Sequence, residues 1–316
     1  QAAIEGAISS AVAAAIDVNR KNVQLEEAQA ELERLFGSDG LPGKHTGESI
    51  GYYTLGPLLG RGASGEVYDA MDGRNQRRTA IKLLTGREAD HPLVIARFNR
   101  EGVIAKEIRS PHVARVYEYG QGHDEMLYIA MERLDGSDLA TILRKKGRIS
   151  TRAAHRFVQH VCRGLSAAHA RGVIHRDIKP HNIFSHSSEG ARRVWKVLDF
   201  GISKWLSGSE TLTQVGCVVG TPRYMSPEQA RGQEVDQRSD LYSFGAVLYR
   251  ALTGSPPLSG RALSSISAAA FERPKRPRDV APDIDPQIEA FLSIALAPDP
   301  MDRFQTAADF ADTYDK

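Results

Sequence analysis

Five short runs of apolar residues at strand spacing occur between Tyr53 and Leu134. Residues 93–108, between the third and the fourth run, have instead the spacing of an amphipathic helix. Five short strands and one helix predict a small sheet lobe. The runs are YTLGPLLG from Tyr53, EVYDAMD from Glu66, RTAIKLL from Arg78, ARVYEYG from Ala114 and MLYIAMERL from Met126.

After Asp138 the apolar positions change to helical spacing. The predicted fold class is therefore α+β with two lobes, a five-stranded sheet lobe with one key helix and a larger, mostly α-helical lobe. A crevice between the two lobes is the expected place for a ligand. The predicted helices are 139–145, 150–170, 236–253, 286–296 and 306–314.

A helical extension is predicted before these lobes. Apolar residues from Ile4 to Leu35 recur at helical spacing, and the turn-rich stretch 37–51 follows as a flexible linker. The predicted organisation is an amphipathic helix and linker over residues 1–50 and a folded domain over 51–316, with lobes at about 51–134 and 135–316. The helix could pack on the folded domain or dimerise as a coiled coil, and both alternatives stay open.

Charge and hydropathy exclude several classes of partner. Lys and Arg total 41 against 39 Asp and Glu, so the net charge of +2 does not favour nucleic acid or an anionic membrane. The dense basic run 273–278 is interpreted as a solvated loop, with a docking patch for acidic partners as the alternative. No membrane segment is expected, because the apolar stretch 7–16 is far shorter than the roughly twenty residues of a spanning helix.

Cysteine usage favours a reducing compartment. Cys162 and Cys217 have no CxxC partner and no metal-ligand spacing, so the expected location is cytoplasmic. No positively charged region precedes the stretch 7–16, which does not resemble a signal peptide. The chain begins with Gln1 rather than Met, and an anchor outside it remains an alternative.

A glycine-rich turn joins the first two predicted strands. It reads LGRGASGEV over residues 59–67, and positions without side chains let backbone amides approach phosphate oxygens. An ordinary hairpin is the alternative for this string alone. Seventeen residues after Gly65, Lys82 lies in an apolar strand, where a buried ammonium needs an anion. Glu101 is the expected partner, since Glu107 faces another side of the predicted helix.

Two strings in the second lobe carry the predicted chemistry. HRDIKPHN occupies residues 175–182, and seventeen residues after Asn182 the string DFG begins. They supply a carboxylate, a lysine and two oxygen donors, the groups that phosphoryl transfer needs around a nucleotide, a metal ion and a hydroxyl. A lone Asp in a loop is more often a turn residue or a helix cap, so the ordered set carries this prediction.

Together these strings resemble the eukaryotic-type serine/threonine protein kinases in the form common among bacteria. The resemblance implies the two-lobed kinase fold and transfer of the γ-phosphate of ATP to serine or threonine hydroxyls of proteins, in bacterial signal transduction. It implies Mg²⁺ as the metal, with Mn²⁺ as an alternative. It runs from about residue 53 to about residue 314, with further motifs GTPRYMSPE at 220–228, SDLYSFG at 239–245 and DRF at 302–304.

The resemblance also implies a role for each residue of the site. Asp177 would accept or orient the proton of the substrate hydroxyl, Lys179 would neutralise the transferring phosphoryl group, and Lys82 with Glu101 completes the catalytic set. Lys179 and Thr221 favour serine or threonine over tyrosine acceptors. The implied metal ligands are Asn182 and Asp199, and the implied nucleotide contacts are Leu59, Gly60, Arg61, Gly62, Ala63, Ser64, Gly65, Val67, Ala80, Lys82, Met131, Glu132, Leu134, Asp138 and Phe184.

Other residues are implied to support or regulate this site. His175 and Phe200 are interpreted as packing residues that fix the two loops. Arg176 is implied to pair with a phosphate on the segment 202–219, which would order that segment after autophosphorylation. The implied phosphorylation sites are Thr213 and then Thr211, and the implied supports are Arg176, Thr221, Asp240 as a brace of the catalytic loop, and Glu228 with Arg303 as an ion pair.

Three other functions stay open as alternatives. A pseudokinase scaffold would bind nucleotide without turnover. A small-molecule phosphotransferase of related fold would lack the GTPRYMSPE segment that is present here. The N-terminal helix could make the chain chiefly an assembly module, with a homodimer through this helix or through a kinase lobe. The expected partners are ATP and proteins with serine or threonine acceptors.

Overall fold

The structure is a computed structural model that describes residues 42–62, 65–84, 98, 102, 105–122, 126–187, 192–200, 222–258 and 273–316. The predicted N-terminal helix, most of the predicted helix 93–108 and the segment 201–221 lie outside the described residues. So do seven residues that the sequence singled out, namely Ala63, Ser64, Glu101, Thr211, Thr213, Cys217 and Thr221.

The chain divides into two compact units. The first contains the described residues up to Glu107 together with 115–133, and the second contains those among 108–114, 134–200 and 222–316. Each unit has its own apolar core.

The first unit is built on an antiparallel sheet of six described strands, one more than predicted. They are β1 Ser49–Ile50, β2 Tyr53–Gly62, β3 Gly65–Asp72, β4 Arg77–Leu83, β5 Val116–Gln121 and β6 Leu127–Glu132. Their order in the sheet is β1-β2-β3-β4-β6-β5. The predicted strands all form, and the extra strand is the two-residue β1.

One face of this sheet forms an apolar core. Tyr68, Ile81 and Ala130 pair across β3, β4 and β6, and all three are fully buried. Successive side chains of a strand point to opposite faces, so Val67 and Lys82 lie on the other face. The strand register therefore separates the core residues from the candidate nucleotide-binding residues.

The end of the predicted flexible linker is ordered, which corrects that expectation. His45 is buried, and its backbone N–H donates to the hydroxyl of Tyr68 (3.2 Å). A Cβ atom at Gly43 would overlap the same ring, and Ser49–Ile50 pairs with β2. Glycines in this stretch permit close packing as well as flexibility, which composition alone does not distinguish.

The second unit is mostly helical and carries a three-stranded antiparallel sheet in the order β7-β8-β9. The strands are β7 Gly136–Asp138, β8 Ile183–His186 and β9 Val194–Val197. The helices are α1 Leu139–Lys146, α2 Thr151–His169, α3 Pro227–Ala230, α4 Gln237–Thr253, α5 Pro277–Val280, α6 Pro286–Ala295 and α7 Ala307–Tyr314.

Capping residues explain where these helices begin. The side chains of Ser150, Asp236 and Thr306 accept hydrogen bonds from backbone N–H groups of the first turns of α2, α4 and α7. An N-cap residue lies just outside its helix. Each of these helices therefore begins one residue after the predicted start. Helix α4 ends at Gly254, whose φ of 85° suits a left-handed C-cap.

Helix α4 lies at the centre of the second core. Most of its side chains are buried, as expected for a helix that is apolar on nearly all sides. The ring of Phe244 lies 5.5 Å from that of Phe157 in α2 and 5.1 Å from that of Phe310 in α7, measured between centroids. This packing fixes the first turn of α4, which carries Asp240. Within the described ranges, no helix has the length and apolar character needed to cross a membrane.

Candidate active site

The first unit places four predicted nucleotide-binding residues on one face of its sheet. Val67 lies opposite Lys82, and Ala80 lies opposite Met131. Directly opposed residues share a face, as do residues two apart on a strand. All four side chains therefore lie on the face away from the Tyr68 core.

The glycine-rich turn joins β2 to β3, as predicted. Gly65 has a φ of 136°, and a Cβ atom there would lie 1.9 Å from the carbonyl oxygen of Leu83. Only glycine fits this position. Gly60 has open space at its Cβ position among the described residues, so packing does not require glycine there. The open space beside Gly60 in β2 is consistent with the close approach of a ligand to the backbone there.

An ion pair holds the base of this turn. The Nη2 atom of Arg61 lies 2.6 Å from Oε1 of Glu66, and the hydroxyl of Tyr68 donates to Oε2 of Glu66 (2.6 Å). Burial acts to raise the pKa of Glu66, but the hydrogen bonds from Tyr68 and Arg61 outweigh it and hold the pKa below its usual value. Arg61 thus supports the turn through its side chain, and its predicted nucleotide contact stays a prediction.

Lys82 is only 4% exposed in β4. A buried ammonium group is stable when an anion lies beside it. The predicted partner, Glu101, lies outside the described residues, so the Lys82–Glu101 pair stays a prediction.

Strand β6 ends at Glu132, one of the residues predicted to bind adenine through its backbone. The N–H of Glu132 already donates to the carbonyl oxygen of Arg115 (2.8 Å). This N–H is therefore already engaged, and the other nucleotide contacts expected of Glu132 and of Leu134 stay predictions.

In the second unit, Asp138 caps helix α1. Its Oδ1 accepts the backbone N–H of Thr141 (2.9 Å), and its Oδ2 accepts the hydroxyl of Thr141 (2.8 Å). Phe184 lies directly opposite Asp138 in the pairing of β7 with β8. The structure thus brings together the predicted ribose acceptor and the predicted adenine contact, and it adds a capping role for Asp138.

The loop between α2 and β8 brings Asp177, Lys179 and Asn182 together. The Nζ atom of Lys179 lies 3.0 Å from Oδ2 of Asp177. The Nδ2 group of Asn182 donates to the carbonyl oxygen (2.8 Å) and to Oδ2 (3.2 Å) of Asp177. Because both partners of Nδ2 are acceptors, the amide oxygen of Asn182 is the atom left to bind a cation.

Pairing of β8 with β9 brings the second metal candidate close to the first. The carbonyl oxygen of Asn182 accepts the N–H of Leu198 (2.9 Å), and Asp199 follows with a φ of 51°. An amide oxygen and a carboxylate fit Mg²⁺, which keeps several waters and also binds phosphates. Among the described residues, no group of three or more His, Cys, Asp or Glu side chains is arranged to hold a metal ion.

His175 links the two loops of the site. It is fully buried, its Nε2 donates to the carbonyl oxygen of Leu198 (2.7 Å), and its Nδ1 accepts the N–H of Asp177 (3.2 Å). One donor and one acceptor nitrogen describe a neutral imidazole. Its ring centroid lies 4.8 Å from that of Phe200. These contacts agree with the packing role expected for His175 and Phe200.

Asp240 holds the backbone of the loop between α2 and β8, which carries Asp177 and is called the catalytic loop here. Its Oδ2 accepts the N–H of His175 and its Oδ1 accepts the N–H of Arg176, both at 2.8 Å. Arg176 has a φ of 64°, which costs a residue with a side chain about 1 kcal/mol or more, and these bonds hold it there. Nε2 of His169 also donates to Oδ2 of Asp240 (2.8 Å), a contact that the sequence did not predict.

A second brace, Gln229, was missed by the sequence reasoning. Its Nε2 donates to the carbonyl oxygen of Arg176 (2.8 Å), and it forms a capping box with Ser226 at the start of α3. The available signal was the spacing of Ser226 and Gln229, which is that of a capping box.

The predicted pair of Glu228 and Arg303 is a buried bidentate ion pair. Nη1 and Nη2 of Arg303 lie 2.7 and 2.8 Å from the two carboxylate oxygens, and the Ser239 hydroxyl donates to the same carboxylate. Burial acts to raise the pKa of Glu228, but the bonds from Arg303 and Ser239 outweigh it and lower the pKa to about 2. The pair joins the first turn of α3 to the segment before α7.

The match to known proteins covers both units. The family model described as the protein kinase domain matches residues 53–314. The chain belongs to the protein kinase family. The family prediction made from the motifs is therefore confirmed, and so is the two-lobed α+β fold class.

The kinase domain is similar to mycobacterial kinases. Serine/threonine-protein kinase PknB of Mycolicibacterium smegmatis is 40% identical over 265 residues, which are 81% of this chain and 41% of PknB. PknE of Mycobacterium tuberculosis is 37% identical over 273 residues, which are 86% of this chain and 47% of PknE. The chain thus spans less than half the length of these relatives. A crystal structure of the Mycobacterium tuberculosis PknI kinase domain aligns at a TM-score of 0.70 and 28% identity, covering 85% of this chain and 98% of that domain.

Proposed function

We propose that this domain is an ATP-dependent protein serine/threonine kinase that acts in bacterial signalling. The observation that carries the proposal is the meeting of Asp177, Lys179 and Asn182 within hydrogen-bonding distance of one another, beside the loop of Asp199. The names of PknB and PknE support the choice of serine and threonine as acceptors.

The proposed reaction needs positioning rather than a nucleophilic side chain. The acceptor hydroxyl oxygen bonds to the γ-phosphorus while the bond from this phosphorus to the bridging oxygen of ADP breaks. Asp177 takes or orients the hydroxyl proton, and Lys179 balances charge on the transferring group. Because Lys179 also contacts Oδ2 of Asp177, it holds the carboxylate in a single orientation.

Asn182 and Asp199 are the proposed ligands of Mg²⁺, for which Mn²⁺ could substitute. The metal would supply positive charge to the phosphate oxygens. The contribution of the chain is the orientation of the two ligands. The bonds from Nδ2 of Asn182 to Asp177 turn its amide oxygen away from that residue, and the bond from Leu198 to Asn182 fixes the start of the Asp199 loop.

We assign the nucleotide to the sheet face that carries Val67, Ala80, Lys82 and Met131, with the glycine-rich turn at its phosphates. Lys82 paired with Glu101 would contact the phosphates. Both this pair and the contact of Asp138 with ribose are proposals. The use of ATP is in keeping with the cytoplasmic location expected from the isolated cysteines.

Phosphorylation of the segment 202–219 is proposed to regulate the enzyme. Asp240 and Gln229 hold the backbone of Arg176 on both sides, which presents its side chain in a fixed direction. A phosphate on Thr213, or on Thr211, is the proposed partner of its guanidinium. Phosphosite mass spectrometry on the protein expressed alone, compared with the Asp177→Asn variant, tests this assignment.

Incorporation of labelled phosphate tests the activity itself. Asp177→Asn and Lys82→Met should each reduce incorporation by about a hundredfold or more, because each removes a charge that the transfer requires. Asp312→Asn and Lys106→Met change exposed residues and serve as matched controls. Wild-type rates in Asp177→Asn or in Lys82→Met would refute the proposed function.

A further inference from the structure

Arg223 of the segment GTPRYMSPE and Arg250 of α4, the helix on which that segment packs, have no carboxylate partner among the described residues. Arg223 belongs to the 3₁₀ turn Pro222–Tyr224, and Arg250 lies in the last turn of α4. Both are half-buried, and Nε of Arg223 has no hydrogen-bond partner. Nη1 of Arg250 donates to the carbonyl oxygen of Gly147 (2.9 Å). Within the described part of the chain, neither guanidinium forms an ion pair.

The turn that carries Arg223 packs on α4, the helix that carries Arg250. Burial raises the pKa of its phenol, while the positive charges of Arg250 and Arg223 act to lower it. The direction of both charge effects is in keeping with the packing of this turn on α4. The ring of Tyr224 packs against the core, and its turn packs on α4, so the base of this arrangement is held in place.

Three other arginines of the second unit have carboxylate partners. Arg303 pairs with Glu228, Arg238 with Asp236 and Arg148 with Asp283. A half-buried guanidinium group loses part of its hydration free energy, and an ion pair with a carboxylate or a phosphate compensates for that loss. Its planar fork of N–H groups suits the paired oxygens of such a partner. Arg223 and Arg250 therefore have the form of a binding site for an acidic group that the described residues do not supply.

The local charge also favours an acidic ligand. Residues 144–148, on either side of the Gly147 carbonyl that Arg250 contacts, include four basic side chains and no carboxylate. One of the four, Arg148, is paired with Asp283. A region of one sign attracts ligands of the opposite sign, so an acidic segment would be drawn to this surface and a basic one repelled.

We infer that Arg223 and Arg250 determine substrate specificity by binding an acidic side chain of the substrate protein close to its acceptor serine or threonine. This inference rests on the proposed kinase function, because the resemblance to kinases identifies GTPRYMSPE as the shelf for the acceptor peptide. The acidic group is a carboxylate of Asp or Glu, or the phosphate of a phosphorylated residue.

A peptide scan tests the inference with the whole chain. Peptides share one acceptor threonine, and glutamate, phosphoserine, lysine or glutamine is placed in turn at each flanking position. The quantity compared is kcat/KM for each peptide relative to its glutamine version. We expect an acidic residue to raise kcat/KM by about tenfold at one position or two, because two charge-assisted hydrogen bonds form there. A larger effect of phosphoserine indicates a previously phosphorylated substrate, and a larger effect of glutamate indicates a carboxylate.

Variants connect this preference to the two arginines. Arg223→Gln and Arg250→Gln should each reduce the acidic preference by about fivefold, and Arg250→Glu should transfer the preference to lysine peptides. Arg152→Gln, an exposed arginine of α2, is the matched control and should keep the wild-type ratio. A purely structural role for Arg250 predicts equal losses for all peptides and no transfer to lysine.

The outcomes separate this inference from the proposed function. Phosphorylation of all wild-type peptides at equal rates would overturn the inference and leave the kinase proposal intact, as would an unchanged ratio in both glutamine variants. Absence of autophosphorylation and of all peptide phosphorylation would refute both. If Arg250→Gln does not fold, Arg250→Lys replaces it, and loss of the guanidinium fork should still weaken the acidic preference.

Discussion

Replacing Arg303 by methionine would remove the partner of a buried carboxylate. Glu228 and Arg303 have side chains that are 6% and 0% exposed, and two N–O contacts of 2.7 and 2.8 Å join them. Arg303 also donates to the carbonyl oxygens of Ala297 and Pro298. In the variant, Glu228 would stay buried with the hydroxyl of Ser239 as its side-chain donor.

The pKa shift of Glu228 and the general cost of breaking a buried ion pair predict a similar loss of stability in Arg303→Met. The pKa of Glu228 is about 2 in the folded protein against a usual value of 4.5, and this difference corresponds to about 3 kcal/mol of stability at neutral pH. Removing one partner of a buried ion pair costs about 3–5 kcal/mol. Arg303→Met should therefore lower the free energy of unfolding by about 3–5 kcal/mol at pH 7.

Urea unfolding of wild type, Arg303→Met, Glu228→Gln and the double variant measures this effect. The double variant buries no unpaired charge, so its loss should be smaller than the sum of the single losses by about 2 kcal/mol. Arg152→Met, an exposed arginine, is the control.

The pH dependence gives an independent check. The folded-state pKa of Glu228 lies below the unfolded value, so its contribution is complete above pH 4.5 and is lost as pH falls toward 2. Over that window the stability of wild type should approach that of Glu228→Gln. A loss below about 1 kcal/mol in Arg303→Met, or additive single losses within about 0.5 kcal/mol, would refute the reasoning.

Three further predictions concern other parts of the domain. Gly65→Ala should raise KM for ATP and lower the stability of the domain, because the Cβ atom of the alanine would overlap the carbonyl oxygen of Leu83. An unchanged KM would contradict a role of this tight turn in binding the phosphates. Asp138→Ala should lower the free energy of unfolding by about 1 kcal/mol through loss of the α1 cap, and urea unfolding with no change would contradict this. Cys162 should resist alkylation in the native state, since burial raises the pKa of its thiol; rapid modification by iodoacetamide in peptide mapping would disprove it.

Local signals explain why the secondary structure was predictable. Five of the seven described helices begin within one residue of a predicted start, and Ser150, Asp236 and Thr306 mark three of those starts as capping residues. The four-residue helices α3 and α5 were not predicted. Periodicity and capping depend on residues only a few positions apart. The stretch 42–50 was predicted wrongly because its order depends on Tyr68, a residue of another strand.

The chemistry of the candidate site was predictable, and so were the supports Asp240 and the Glu228–Arg303 pair, but other supports were not. The strings HRDIKPHN and DFG name the groups that phosphoryl transfer needs. Nothing in those strings names His169 and Gln229, which brace the catalytic loop through Asp240 and Arg176. The only signal in the sequence for a role of Arg250 was its charge, because most other residues of this helix are apolar or buried.

The sequence by itself determined the family, the main strands and helices and the proposed catalytic groups, because short motifs and local spacing encode them. Tertiary structure decided which atoms meet. Asp240 reaches the N–H groups of His175 and Arg176, and Arg250 donates to the carbonyl oxygen of Gly147, although each pair is far apart along the chain. Such contacts depend on the path of the whole backbone, which local periodicity does not specify.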